Sequence, residues 1–192
     1  MYMGKTITVF HSGIRSDVFL KGIIEAIKKQ QENLENTLNI LDLSTLSISP
    51  CQGCFHCWTK TPGLCILKDD GHTVASSYIN SDIVIFVSRI CFGGYDGVIK
   101  CAIDRLIPLI LPFFRKYQGE THHKKRYKTY PSLFPIGVID HQNEEMEQIF
   151  QALLQRNILN FCPPTAHLAI IREDDQGHKT VLLDHLNRIE EV

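Results

Sequence analysis

The amino-acid sequence predicts a three-layer α/β/α domain, in which helices cover both faces of a doubly wound, five-stranded parallel sheet. Two observations predict this class. Short apolar, β-branched runs alternate with segments of helical periodicity, and such alternation builds parallel strands joined by right-handed crossovers. The run Ile-Val-Ile-Phe-Val at residues 83–87 is continuous and apolar, as a central strand buried on both faces must be. We expect a single domain over residues 1–192, because this length can bury a complete core.

The first half of the chain predicts two strands, two helices and one long loop. Both strands are short apolar runs, and the first helix carries isoleucines at helical spacing behind Ser16 or Asp17 as its N-cap. The loop holds prolines, glycines and clustered cysteines, and Asp69 or Asp70 can cap the helix that follows it. In order, we predict a strand at residues 5–10, a helix at 16–30, a strand at 37–41, a loop at 44–67 and a helix at 69–79.

The second half predicts three further strands, again separated by helices. The segment at residues 115–131 is polar and irregular, and Pro108 falls late in the helix that precedes it. In order, we predict a strand at residues 83–87, a loop at 88–94, a helix at 96–110, an irregular segment at 115–131, a strand at 133–139, a helix at 143–158, a strand at 166–171 and a helix at 182–189.

Composition excludes several classes of protein. The 20 Lys and Arg residues nearly balance the 21 Asp and Glu residues, which leaves a net charge of −1. A chain without a basic surplus is not expected to bind nucleic acid in bulk, because neutralising phosphates needs positive charge. The N-terminal sequence lacks the apolar core of a signal peptide, and no stretch is long and apolar enough to span a membrane. We therefore expect a cytoplasmic protein without a membrane partner.

The cysteines give the strongest local signal. Of the seven, Cys51, Cys54, Cys57 and Cys65 fall within fifteen residues, with the spacing C-x2-C-x2-C-x7-C. An odd total does not suit a fully paired disulfide framework, and four clustered thiolates suit zinc or an iron–sulfur cluster. The alternatives are buried thiols or a redox-active pair. The only tryptophan, Trp58, lies in this loop and is expected to pack it against the core.

The fold places candidate ligand residues at the carboxyl ends of the strands. In a doubly wound sheet, ligands bind where the strand order reverses, outside those ends. Three loops meet this condition: residues 10–17, 88–96 and 140–143. Five strands and about five helices in this length match the flavodoxin-like version of the fold.

Two separated motifs carry a family resemblance. The cysteine loop (CQGCFHCWTKTPGLCILKDD, residues 51–70) and the segment running from residues 83–93 into Lys-Cys-Ala-Ile-Asp-Arg (100–105) occur in this order. They resemble the NADPH-dependent FMN reductase and iron–sulfur flavoprotein family over roughly residues 5–108. The resemblance implies a flavodoxin-like fold, FMN as cofactor, NAD(P)H or a small redox partner as electron source, and a homodimer. In the iron–sulfur branch, a compact four-cysteine motif binds a [4Fe–4S] cluster, usually with a shorter final spacing than here.

The resemblance also assigns a flavin site, in which the phosphate loop is divergent. Free N–H groups and the dipole at a helix N-terminus favour the phosphate. Read without gaps, Phe19 and Leu20 replace the family's Asn-Thr pair, and Asp17 would repel a phosphate. Arg89 falls in a segment where the family has Ser/Thr-Pro-(Val/Ile)-Tyr. The cofactor-binding residues that we predict are Ser12, Gly13, Arg15 and Ser16 for the phosphate, and Ser88, Arg89, Ile90, Cys91, Phe92, Gly93, Asp140 and His141 for the ring.

These features predict an FMN-dependent NAD(P)H oxidoreductase, with no catalytic acid–base pair assigned. One alternative is an electron-transfer protein that uses the four-cysteine loop, and another is a catalytically silent relative that acts as a partner subunit. The apolar stretch at residues 107–114 is expected to contribute to a dimer contact. Asp104 and Arg105 are expected to form an ion pair on a helix surface.

Overall fold

The computed structural model describes residues 4–13, 17–32 and 34–192. Within these residues, six α-helices alternate with nine strands. The helices are α1 (Val18–Gln31), α2 (His56–Thr59), α3 (Gly71–Ile79), α4 (Gly97–Asp104), α5 (Glu144–Phe161) and α6 (His178–Glu190). The strands are β1 (Thr6–His11), β2 (Thr37–Asp42), β3 (Ile83–Cys91), β4 (Gly94–Tyr95), β5 (Ile110–Tyr117), β6 (Glu120–Lys125), β7 (Ser132–Leu133), β8 (Ile136–Ile139) and β9 (Ala169–Arg172). Single turns of 3₁₀-helix occupy Leu43–Thr45 and Ile107–Leu109.

The main sheet has the predicted doubly wound topology. Five strands pair in parallel in the order β2-β1-β3-β8-β9, so the chain reverses its direction of travel between β1 and β3. The short β7 pairs in parallel with the start of β3, and β4 pairs antiparallel with its end. The prediction of a five-stranded parallel sheet is confirmed, and the two short strands extend it.

Two hydrophobic cores lie on opposite faces of this sheet. Along β3, successive side chains alternate between them: Ile83, Ile85 and Val87 face one core, while Val84 and Phe86 face the other. Helices α1 and α6 cover the first face, and α3, α4 and α5 cover the second. This arrangement is the predicted three-layer α/β/α architecture, and it explains why β3 reads as a continuous apolar run.

Side-chain caps fix where three of the helices begin. Asp17, one of the two predicted N-caps, accepts a hydrogen bond from the Leu20 amide at 2.9 Å and starts α1. Asp96 accepts from the second and third amides of α4, and Asn143 accepts from the Met146 amide at the start of α5. Each bond satisfies an amide that has no partner inside its helix.

Two segments predicted as irregular are β-hairpins. The loop prediction at residues 88–94 is wrong, because β3 continues to Cys91 and turns back into β4 through Phe92 and Gly93. The prediction at 115–131 is wrong for the same reason: β5 and β6 form a separate two-stranded ribbon that turns at Gln118 and Gly119. All four turn residues have positive φ, which the tight turns of two-residue hairpins require.

Prolines account for two other differences from the predicted elements. The helix predicted over 96–110 ends at Asp104, and Pro108 lies in a separate 3₁₀ turn, because proline disfavours helical backbone in the residue before it. The strand predicted over 133–139 is divided into β7 and β8 around Pro135, which has no N–H to donate to a ladder. In addition, β9 begins three residues later than predicted and α6 four residues earlier.

Charge is unevenly distributed between the ribbon and the rest of the chain. Residues 110–131 contain six Lys and Arg against one Glu, a net charge of +5, so the remaining residues carry −6.

Among the residues that the structure describes, no helix combines the length and apolar character needed to cross a membrane.

Candidate functional site

The carboxyl ends of the central strands bring the predicted ligand loops to one edge of the sheet. The register pairs His11 of β1 with Val87 of β3, so the loops that follow these strands start side by side. Ser12 and Gly13 lie directly after β1; Arg15 and Ser16, also predicted for the phosphate, lie outside the described residues. Gly13 has a φ of +95°, and a Cβ there would lie 2.8 Å from the Ser44 hydroxyl. This turn therefore requires a glycine.

A cleft of about 460 Å³ opens between the ends of β3 and β8. Its volume lies within the range usual for small-molecule sites. Five of the predicted ring-binding residues line it: Arg89, Ile90, Cys91, Asp140 and His141. Asn143, which also lines the cleft, lies in the predicted ligand loop at 140–143, whereas sequence reasoning missed Ile139 and Met146. Met146 belongs to the first turn of α5, and only the three-dimensional packing of that helix against the strand ends identifies it.

The other predicted ring residues do not line this cleft. Ser88 is buried, and its hydroxyl contacts the Asp96 carboxylate at 2.9 Å and accepts from the Asp96 amide at 3.0 Å. It therefore ties the end of β3 to the start of α4. Phe92 stands at the tip of the β3–β4 turn with 94% of its surface exposed. At the neighbouring Gly93, a Cβ would lie 2.6 Å from Ile149 of α5, so this turn packs closely on the helix.

Arg89 links three acidic loops across the strand ends. Its Nε and Nη2 atoms donate to the two carboxylate oxygens of Asp17 at 2.7 and 2.9 Å. Its Nη1 atom donates to Asp140 and to Glu173, each at 2.6 Å. These bonds, first those with Asp17, raise the pKa of Arg89 above its usual range. Burial alone would raise the pKa of Asp17, but the hydrogen bonds from Arg89 and the Leu20 amide lower it.

Phe19 and Leu20 are not positioned as the ungapped comparison with the family implied. Leu20 is 2% exposed and packs in the core beneath α1, so no side chain at this position would face a phosphate. The Phe19 ring lies 5.2 Å from the ring of His178 and 5.9 Å from the guanidinium of Arg89. The reading that these two positions face the phosphate is therefore wrong for Leu20, and Phe19 is engaged in packing instead.

The described residues fit one end of FMN and not the other. The β3–β8 cleft combines apolar walls from Ile90, Ile139 and Met146 with polar groups at its rim, as a planar ring requires. At the N-terminus of α1, by contrast, the Asp17 carboxylate already accepts the Leu20 amide and carries the negative charge that a phosphate would bring. The ring end fits a flavin, whereas the phosphate end, as far as it is described, does not.

The four clustered cysteines line one cavity of about 250 Å³. All four are free thiols, and burial together with the neighbouring cysteines raises the pKa of Cys57. Gly53 and Phe55, both with positive φ, bend the backbone around the cavity. Within residues 4–13, 17–32 and 34–192, no three His, Cys, Asp or Glu side chains are placed to ligate a single metal ion. The loop therefore gathers its thiols around a shared space rather than around one point.

A buried ion pair closes the base of this loop. Arg105 is 1% exposed and donates through both Nη atoms to Asp69, at 2.7 and 2.8 Å. The same arginine donates to the Ser49 carbonyl at 2.6 Å, and Asp69 accepts from the Ser49 amide at 2.9 Å. The expectation of an Asp104–Arg105 surface pair is wrong, because Asp104 pairs with Lys100. Arg105 and Asp69 thus hold together the two chain segments that flank the cysteines.

Trp58 packs the cysteine loop, as predicted, but against the β5–β6 ribbon rather than against the core. Its Nε1 atom donates to the Ile110 carbonyl at 2.9 Å. Its ring stacks on Phe55 at 5.5 Å and lies 5.0 Å from the ring of His123 on β6.

The sheet order, the crossovers and the cleft at the strand ends define a flavodoxin-like fold. The chain is similar to an NAD(P)H:quinone oxidoreductase from Methanothermobacter marburgensis, with a TM-score of 0.69 and 12% identity over 98% of this chain and 94% of that chain. It is also similar to an FMN-dependent NADH-azoreductase from Bacillus anthracis solved in complex with FMN, with a TM-score of 0.63 and 11% identity over 98% and 97% of the two chains.

Among curated proteins, an iron–sulfur flavoprotein from Archaeoglobus fulgidus is 30% identical over 91 residues. The match covers 47% of this chain and 42% of the relative, so the chain matches less than half of that protein's length. No protein-family model matches the chain. Together these comparisons confirm the predicted resemblance to flavin reductases, and at this level of identity the solved structures establish the fold.

Proposed function

We propose that the chain is a flavin-dependent NAD(P)H oxidoreductase that takes FMN, with the flavin ring in the β3–β8 cleft. The observation that carries the proposal is the position of this cleft, beside the switch point where doubly wound folds bind their ligands. The likeness to two reductases of this fold, one of them solved with FMN, supports it. The chain's own catalytic task is then to bind and orient the flavin.

The side chains of the cleft divide this task between them. When bound, the flavin supplies the redox chemistry, hydride acceptance from a nicotinamide. Ile90, Ile139 and Met146 exclude water from the ring, and the asparagine and histidine at the rim provide polar contacts. Arg89 is engaged with Asp17, Asp140 and Glu173, so its role is to hold the polar rim of the cleft in place.

The proposal is tested by filling the cleft. Met146→Trp should abolish both flavin binding and the NADPH-driven bleaching of the flavin absorbance, because the indole occupies the volume that the ring needs. Gln151→Trp, at an exposed position of the same helix, is the matched control and should leave both unchanged. Wild-type protein that neither binds flavin nor oxidises NADPH or NADH in its presence would refute the proposal and support the silent-partner alternative.

A second candidate function, electron transfer through an iron–sulfur cluster, is favoured by the cavity that all four clustered cysteines line. A [4Fe–4S] cluster takes its thiolates at separated corners, so it suits thiols placed around a space rather than around one ion. The buried Nε–H of Arg105, which also lines this cavity, has no hydrogen-bond acceptor among the described atoms. It would offer a donor to an inorganic or cysteine sulfur.

Anaerobic reconstitution with iron and sulfide tests the second candidate. We expect about four irons per chain and a brown chromophore, both lost in Cys57→Ser and retained in Cys162→Ser, which changes a cysteine outside the loop. Binding of one zinc without iron, or no metal at all, would contradict a cluster.

The homodimer remains part of the proposal. Within the predicted contact stretch, Leu109 and Ile110 are buried in the chain itself, whereas Phe113 and Phe114 are 63% and 60% exposed. Light scattering should give twice the monomer mass of 21.9 kDa, and Phe113→Ser with Phe114→Ser should return it to the monomer value. A monomer in the unmodified protein at micromolar concentration would contradict the proposal.

A further inference from the structure

The chain's own Asp17 occupies the position where this fold offers an anion site. In doubly wound sheets, the helix N-terminus that follows β1 at the switch point receives the phosphate. Here Asp17 Oδ1 accepts the Leu20 amide at 2.9 Å, and Arg89 grips both oxygens of the same carboxylate at 2.7 and 2.9 Å. Because both oxygens are engaged and the side chain is only 20% exposed, the carboxylate is held in place.

Arg89 is not available to offset the negative charge. It already pairs with Asp140 and Glu173 in addition to Asp17, so three carboxylates share one guanidinium. These four side chains together carry a net charge of −2. A phosphate dianion brought to the start of α1 would meet this surplus at close range, where like charges repel each other. Among the described residues, the fixed charges at this edge therefore oppose a phosphate, whereas a neutral flavin ring in the cleft that Arg89 and Asp140 also line does not meet the same repulsion.

We infer that the chain recognises flavins by the ring and ribityl chain and not by the phosphate, so that riboflavin is bound at least as tightly as FMN. The inference rests on the proposed flavin function and narrows its ligand class to flavins with or without a terminal phosphate. A flavin held without a phosphate clamp exchanges with the solution, so it behaves as a substrate that is reduced and released.

Fluorescence titration of the apoprotein with riboflavin and with FMN tests the inference. We expect the dissociation constant of riboflavin to equal that of FMN or to be lower by up to about tenfold, because only FMN carries the charge that the carboxylates repel. An engaged phosphate adds charge-assisted hydrogen bonds, each worth about tenfold or more. FMN tighter by about thirtyfold or more would therefore overturn the inference and leave the flavin function standing. Binding of neither flavin would instead refute the proposed function, so the two failures are distinguishable.

Removal of the Asp17 charge gives the second test. Asp17→Asn retains an N-cap of similar strength, so α1 remains intact. It should tighten FMN about tenfold and leave riboflavin unchanged, because only FMN carries the charge that Asp17 repels. Asp174→Asn makes the same charge change at an exposed neighbour of Glu173 and should alter neither constant. If Asp17→Asn leaves the ratio of the two constants unchanged, Asp17 does not exclude the phosphate and the inference fails.

Substitution of Arg15 gives the third test, because this residue lies in the same loop but outside the described residues. Under the inference, Arg15→Ala changes the FMN and riboflavin constants equally or not at all. A selective loss of FMN affinity would show that Arg15 holds a phosphate despite Asp17, and would overturn the inference.

Discussion

At the scale of single residues, Arg89 determines both the structure and the charge of the strand ends. It joins the start of α1 to the loops after β8 and β9, segments far apart in the sequence. The sequence predicted that Arg89 lies at the strand ends, where the structure has it, but nothing in the local pattern indicated its three acidic partners. Such partners depend on which strand ends are adjacent, and local pattern does not encode adjacency.

Replacing Arg89 tests this role. Arg89→Leu should lower the free energy of unfolding by about 2 kcal/mol, because it removes a bidentate pair and leaves three carboxylates facing each other. Urea denaturation measures the loss. In the double variant with Asp17→Asn, part of the loss should be recovered, since one of the repelling charges is gone. Strictly additive effects of the two substitutions would contradict a direct interaction.

Leu20 shows where the family comparison failed. Without a structure, an ungapped alignment places it opposite a phosphate, and Leu20→Thr then looks like the restoration of a ligand. Because Leu20 is 2% exposed in the core, the substitution should instead destabilise the protein by about 2 kcal/mol, through lost apolar contact and a buried hydroxyl.

Thermal or urea unfolding checks this prediction, and flavin titration of the same variant should show no gain in affinity. Val18→Thr, at a position of α1 that is 85% exposed, serves as the control and should be nearly neutral. A stable Leu20→Thr protein with tightened FMN binding would restore the original alignment.

At the scale of elements, the cysteine loop owes its shape to the Asp69–Arg105 clamp. The hydrogen bonds that Arg105 donates are the main reason why the pKa of Asp69 lies well below its usual range. A carboxyl whose pKa is depressed on folding stabilises the protein above its unfolded pKa of 3.8, and this contribution is lost as the pH falls below that value.

Asp69→Asn should therefore cost about 3 kcal/mol at neutral pH, since it leaves the buried guanidinium of Arg105 without a counter-charge. Proteolysis should cleave the loop at residues 49–69 faster than in the unmodified chain. Asp104→Asn, which breaks an exposed pair with Lys100, is the matched control and should change the free energy of unfolding by less than about 0.5 kcal/mol. Equal effects of the two substitutions would contradict the clamp.

The sequence predicted long apolar elements well and short hairpins poorly. β3 is apolar throughout because it is buried on both faces, and α1 has apolar residues at helical spacing because it is buried on one face. Both patterns are long enough for the type of element to be predicted from the sequence. The β5–β6 ribbon is rich in charged residues and packs only partly on the domain, so its strands show no clear alternation. Its single local signal was Gln118-Gly119, a dipeptide that suits a hairpin turn but is common in ordinary loops.

At the scale of the whole molecule, a histidine buried in the core makes the free energy of unfolding dependent on pH. His185 of α6 is 4% exposed, lies beside Phe134, and has its Nε2 atom 3.3 Å from the Phe134 carbonyl. Burial lowers the pKa of His185 from its ordinary value of 6.5 to about 4. Burial is also the main cause that lowers the pKa of His11.

Because the folded-state pKa of His185 lies below the unfolded value, the unfolded chain takes up the proton first on acidification. The free energy of unfolding should be at its full value above pH 6.5 and should fall by about 3 kcal/mol as the pH drops to about 4. Urea titrations across this range measure the slope. His185→Gln should flatten the slope, whereas His141→Gln, at an exposed position, should leave it unchanged. If the slope is unaltered in His185→Gln, His185 is not the group that makes the free energy of unfolding depend on pH.

The β5–β6 ribbon concentrates positive charge that the near-zero net charge of the chain conceals. Residues 110–131 carry +5 while the remainder carries −6, and at low ionic strength the field of each extends about 10 Å or more into solution. At neutral pH and low salt, the protein should therefore adsorb to a cation-exchange resin through the ribbon and to an anion-exchange resin through the acidic remainder. In an encounter with a negatively charged surface, it should arrive with the ribbon foremost.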